Sequence, residues 1–182
     1  LAAMCGVGPA DDRQIDGLGG ADPLTSKVAI INRSQRPGID LDYEFVQVVV
    51  GGNATDRTQN CGNILAGVVP FALEAGILPA GNPETAASVY MTNSDSICEV
   101  IVRTPAGRVE YAGDAKIDGV PGTAAQVICN YQDIAGSATG ALLPTGRLIE
   151  TVDGIPVTCI DNGMPVVLLR AADLGRTGYE QR

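Results

Sequence analysis

The chain has 182 residues, 45% of them hydrophobic, with 12 Lys and Arg against 21 Asp and Glu and a formal net charge of −9. That length holds one full domain with a real core, or part of a larger protein, and an acidic balance without a basic cluster argues against nucleic acid and anionic membrane as partners. No apolar run approaches the roughly 18 residues of a membrane span, and the opening LAAMCGVGPADDRQ lacks the basic and apolar regions of a secretory signal.

In chain order, 23 Gly and 11 Pro cut the sequence into short pieces rich in β-branched residues, so strands are predicted to dominate. The predicted strands are 27–32, 43–50, 87–92, 97–104, 108–112, 125–131, 147–152, 155–160 and 165–170. A single long helix is predicted over 62–77, where Ile64, Leu65, Val68, Phe71, Ala72 and Ala75 recur at three- and four-residue steps. Gly76 should end it, and Pro79 prevents continuation. Glu74 is its only charge, which predicts burial nearly all round. A short helical turn is expected at 171–174. Strands that do not alternate with helices make the class α+β, a curved, mostly antiparallel sheet around one central helix.

Histidine is absent, which removes Ser-His-Asp and Cys-His catalysis and His-based metal sites from within this chain. The five cysteines, Cys5, Cys61, Cys98, Cys129 and Cys159, stand about 30 residues or more apart with no CxxC pair, against zinc-ribbon and thioredoxin-like readings. The odd count and the missing signal favour a reducing cytoplasm. Cys98, Cys129 and Cys159 fall inside strand patterns and are expected to pack.

Cys61 differs, because TQNCGNILAG puts it where the predicted helix begins. Unpaired backbone N–H groups and the helix dipole there favour a thiolate and could hold a carboxylate. Asn60 and Asn63 would add side-chain donors, and Gly62 would let a ligand approach the backbone. Cysteine is also among the most often buried residue types, and Asn60 could instead be the helix cap. The residues by themselves leave both roles open.

Lys27 closes the stretch DPLTSK just before an apolar strand. As a general base it would need its pKa of about 10.4 lowered by some three units, roughly 4 kcal/mol of desolvation or neighbouring charge. The alternative is a solvated strand end. The turn Gly17-Leu18-Gly19-Gly20 does not fit a phosphate loop, since no strand precedes it and no GKS or GKT follows. IDNGMP, residues 160–165, carries an Asn-Gly hairpin signal.

Taken together, RQIDGLGGADPLTSKVAII, QNCGNILAGVVPFALEAG, AGDAKIDGVPGT, ALLPTG and GIPVTCIDNGMPVVLL resemble the PrpF protein family, whose fold is like that of diaminopimelate epimerase. Within the family the resemblance leans to enzymes that tautomerise 4-oxalomesaconate in gallate and protocatechuate breakdown. It implies a cytoplasmic, cofactor-independent isomerase with no metal, moving a proton between carbons of an unsaturated tricarboxylic acid. Methylaconitate or aconitate is the alternative substrate, and an inactive truncated binding or structural module the alternative role. The family's catalytic lysine and cysteine fall on Lys27 and Cys61. Its substrate-contacting segments fall on Thr25, Ser26, Asn60, Gly62, Asn63, Asn162, Gly163 and Met164. Partners are then a small tricarboxylate, with a homodimer allowed. Family proteins are about twice this length, with the active site between two similar domains. The resemblance therefore implies that residues 1–170 form the first domain without its N-terminal strand, that 171–182 begin the inter-domain segment, and that the second domain lies outside this chain.

Overall fold

Along LDYEFVQV, buried and partly covered positions alternate, the mark of a strand with a packed face. In the computed structural model, which describes residues 23–50 and 54–180, this segment is β2 (Leu41–Val48), at the centre of the fold. Cys5 and the turn at residues 17–20 lie outside the described residues. The chain divides into two compact units, residues 1–132 and 133–182.

The first unit contains β1 (Lys27–Arg33), β2, the two-residue β3 (Thr55–Asp56), helices α1 (Gly62–Leu65) and α2 (Val68–Glu74), then β4 (Glu84–Met91), β5 (Ser96–Arg103) and β6 (Val127–Gln132). Its six-stranded sheet runs β1-β2-β4-β5-β6, with β3 also on β2. Every pairing is antiparallel except β2 with β4. A parallel neighbour requires the chain to cross over the sheet, and the crossing segment carries both helices. The core is one sheet face against that crossing: Tyr43, Phe45, Val89, Met91, Cys98, Val100 and Val102 pack with Leu65, Val68, Val69 and Ala72. Each large side chain so buried contributes about 1.5–3 kcal/mol.

The α+β class holds, but the helix differs from the expected unbroken 62–77. It is a single turn, a break at Ala66 and Gly67, and then α2. Pro70 supplies the reason: it has no N–H to bond the carbonyl four residues back, at Ala66, so it suits the first turn of a new helix better than the middle of a long one. Nor is the helix buried all round. Phe71 is 57% exposed, beside an apolar hollow of about 220 Å³ lined by Ala29, Ile31, Ile64, Gly67, Val68 and Phe71. The stop falls as expected, with Gly76 at φ +70° just beyond the helix.

The predicted strand at 108–112 does not form. A 3-10 turn at Pro105–Gly107, with Ala106 at φ +54°, turns the chain first, and only single backbone bonds follow, from Glu110 N to Arg103 O and from Ala125 N to Tyr111 O. The second unit is a three-stranded antiparallel sheet of β7 (Glu150–Val152), β8 (Ile155–Asp161) and β9 (Pro165–Leu168), followed by the expected turn at Ala171–Leu174.

Candidate active site

The register decides which side chains share a face. On β1, Lys27, Ala29 and Ile31 stand opposite Gln47, Phe45 and Tyr43 of β2, and Tyr43 and Phe45 face the helices. Side chains two residues apart point the same way along a strand, so Lys27 enters on the helix side of the sheet. The same parity puts Val127, Cys129 and Tyr131 of β6 on that face, opposite Val102, Val100 and Cys98. The strand directions add a second constraint. The start of β1 lies beside the end of β2, while β4 and β6 run in the direction of β2 and end level with Tyr43 and Asp42, near its start.

Cys61 is the N-cap residue of α1, with extended φ −130° and ψ 109° and no hydrogen bond from its side chain to the first turn. Its carbonyl accepts from the amide of Leu65 at 3.1 Å and from the hydroxyl of buried Tyr43 at 3.4 Å. The residue is partly buried against the core. It packs on one side and leaves a thiol that caps nothing. The long-helix dipole expected behind it is reduced to one turn, since α1 is four residues long. Any anion held here would depend on local amides and side chains rather than on a macrodipole.

Asn60 does not cap the helix. Its side-chain amide donates to the hydroxyl of Ser94, which is 2.6 Å from the hydroxyl of Ser96. Its carbonyl oxygen is buried without a hydrogen-bond partner among the described residues. The neighbouring Asn93 accepts from Phe45 N at 2.8 Å and donates to Phe45 O at 2.9 Å and Arg57 O at 2.8 Å. The loop between β4 and β5 therefore fixes the approach to Cys61. The sequence reading missed this pair; the only signal was TNSDS between two strand patterns.

Tyr131 is the other residue missed. Its hydroxyl lies only 2.6 Å from where a Cβ on Gly62 would be. The close approach that glycine permits is thus made by a side chain of the same unit. Burial, followed by the thiols of Cys129, Cys98 and Cys61, pushes the Tyr131 phenol up to about 12. Burial first, then Cys61 and Tyr131, also raises the phenol of Tyr43. Both hydroxyls keep their protons at neutral pH. Asn63 is exposed in the first turn of α1.

Lys27 donates from Nζ to Pro23 O at 3.0 Å, which draws the ammonium back over the turn that precedes its strand. Ser26 is fully buried and its carbonyl receives Val48 N at 2.9 Å and Gln47 Nε2 at 3.0 Å, while Thr25 is exposed. Thr25, Ser26 and Lys27 thus lead into β1, held to the end of β2 through the Ser26 carbonyl and the Lys27–Gln47 pairing. Cys98 is buried, and Cys129 and Cys159 are half-buried in strands.

Asn162, Gly163 and Met164 belong to the second unit, in the turn between β8 and β9, with Gly163 at φ +98°. Asp161 just before them has no exposed surface. It accepts from Ala138 N at 2.9 Å and from Thr139 N and Oγ1 at 2.8 and 2.9 Å. Burial is the largest influence on its carboxyl and would raise it; hydrogen bonds from Thr139, Ala138 and Gly163 outweigh that and hold it below the ordinary range.

Among the described residues no group of three or more His, Cys, Asp or Glu could hold a metal ion, and no helix is long and apolar enough to cross a membrane. The fold and site define an α+β protein with a thiol at a helix start and a lysine entering the helix-covered face of one sheet. The chain matches the PrpF protein family over residues 2–182 and belongs to it. It is 57% identical over 176 residues to the (4E)-oxalomesaconate Delta-isomerase of Novosphingobium sp. (strain KA1), covering 97% of this chain and 49% of that protein. It is 59% identical over 174 residues to the 4-oxalomesaconate tautomerase of Pseudomonas putida, covering 96% and 48%. A crystal structure of methylitaconate-delta-isomerase superposes with a TM-score of 0.81 at 42% identity, over 98% of this chain and 47% of that one. The chain spans about half the length of the curated relatives it matches.

Proposed function

We propose that the protein is an isomerase that moves a proton within an unsaturated tricarboxylic acid, with 4-oxalomesaconate as the substrate. The carrying observation is Cys61, an extended N-cap residue whose thiol caps nothing, packed against the core on the sheet face that Lys27 enters. Relatives named for oxalomesaconate, at 57% and 59% identity, favour that substrate over those of the 3-methylitaconate isomerase of Eubacterium barkeri and the 2-methyl-aconitate isomerase of Cupriavidus necator, at 43% and 36%.

A proton α to a carbonyl in a conjugated polycarboxylate becomes labile once the developing enolate is stabilised. Allylic transfer then needs one group to remove the proton and one to return it at another carbon. Lys27 and Cys61 are that pair, one removing the proton and the other returning it. On this reading Thr25, Ser26, Asn60, Gly62 and Asn63 bind carboxylates in the first unit. An acidic protein holds a trianion with fixed local donors rather than with a positive surface. On this reading the enzyme works in the cytoplasm without metal or cofactor, in the breakdown of aromatic acids, and the remainder of the whole protein completes the cleft.

The test is the loss of 4-oxalomesaconate absorbance with full-length wild type, Lys27→Met and Cys61→Ser. Each variant should lose about 10²-fold or more in kcat, the scale of a positioned acid or base. Near-normal rates in both variants reject the assignment.

A further inference from the structure

The Tyr131 hydroxyl occupies the space above Gly62, the residue after the thiol. It is not the only phenol at this corner, but the two differ in availability. Tyr43 is fully buried, and its hydroxyl is engaged with the Cys61 carbonyl. Tyr131 is 39% exposed, near the open end of β6, so it can meet a ligand as well as the backbone of Gly62. Its place is fixed by pairing across from Cys98, and an aromatic ring held on a strand is a rigid support for a single donor.

We propose that Tyr131 is a further catalytic residue of this site, donating a hydrogen bond from its hydroxyl to the substrate oxygen on which negative charge develops as the proton leaves carbon. The inference rests on the isomerase reading above. No bond to Tyr131 forms or breaks; the phenol keeps its proton throughout, and the proton transfers belong to Lys27 and Cys61. Such a donor needs a hydroxyl that stays protonated beside an anion, and burial with the neighbouring thiols gives Tyr131 that property. It also needs to be in place before the charge appears, since a donor already oriented costs no reorganisation during reaction. Glycine at position 62 is what lets the hydroxyl stand there.

The experiment uses full-length wild type, Cys61→Ser and Tyr131→Phe, with kcat and KM measured on 4-oxalomesaconate and thermal midpoints recorded in parallel. Tyr131→Phe keeps the ring and should keep its melting point. Its kcat should fall about 10²-fold, the effect of one lost oxyanion donor, with KM changed by less than about threefold. If Cys61→Ser is inactive and Tyr131→Phe runs within twofold of wild type, the Tyr131 proposal falls and the isomerase reading stands. A Tyr131→Phe defect confined to KM or to stability also overturns it. If wild type does not turn over the substrate, or Cys61→Ser runs normally, the reading of the site fails and takes this proposal with it.

Discussion

The hydroxyl of Tyr131 lies 2.6 Å from the point a Cβ on Gly62 would occupy, and the next ring atom, Cζ, lies 3.8 Å from it. The first distance is a clash and the second an ordinary contact, so one oxygen atom decides whether residue 62 can carry a side chain. Gly62→Ala should therefore cost about 1–3 kcal/mol in the wild-type background, the range for overpacking. With Tyr131→Phe already present the same change should be neutral or slightly stabilising, because alanine suits a helix better than glycine by about 0.5–1 kcal/mol. A double-mutant cycle by thermal or denaturant unfolding checks this; additive effects would contradict the contact.

Asn93 holds β2 and Arg57 together through three hydrogen bonds. At about 1 kcal/mol each, Asn93→Ala should destabilise the protein by about 2–4 kcal/mol. Because Ser94 beside it binds Asn60, amide exchange should also quicken through residues 57–61. Unchanged exchange there would mean that the segment is held by other contacts.

The raised Tyr131 phenol has a consequence at high pH. Its neutral form is favoured in the folded state, so that contribution is fully present below the unfolded phenol value near 10 and is lost as the pH rises from there to about 12. In an absorbance titration of tyrosinate, Tyr131→Phe should remove one step near pH 12 from the signal of the five tyrosines. Loss of an ordinary step near pH 10 instead would contradict the buried setting.

Asp161 behaves in the opposite sense. Its depressed carboxyl contributes stability that is present above the ordinary Asp range near 4 and is lost as pH falls below it. Asp161→Asn should lower the melting point at pH 7 and flatten its decline between pH 5 and 3. Since Asp161 anchors Ala138 and Thr139 beside the Asn162 turn, its loss should also quicken amide exchange at Ala138 and Thr139. A melting curve identical to wild type at every pH would show that the carboxylate holds nothing in place.

Most strands were legible because alternation and β-branched runs report a packed face directly, as in KVAIINR and SICEVIVR. The α+β class followed from the order of elements. Two local errors share a cause: Pro70 inside the helical pattern and Ala106 at a left-handed φ are backbone effects that hydrophobic periodicity does not register. Cys61 and Lys27 stood out through their neighbours in sequence. Asn93, Ser94, Tyr43 and Tyr131 did not, because what matters about them is which distant backbone or side chain they reach.

The sequence by itself determined the strand-rich class, the absence of histidine chemistry, the helix start at Gly62 and the family motifs around Lys27 and Cys61. Those are local properties, written in composition and in short spacing. Only the tertiary structure decided that β2 and β4 run parallel, that Lys27 and Tyr131 face the same side of one sheet, and that a phenol from residue 131 fills the space above residue 62. These depend on strand order and register, which bring together residues far apart in the chain.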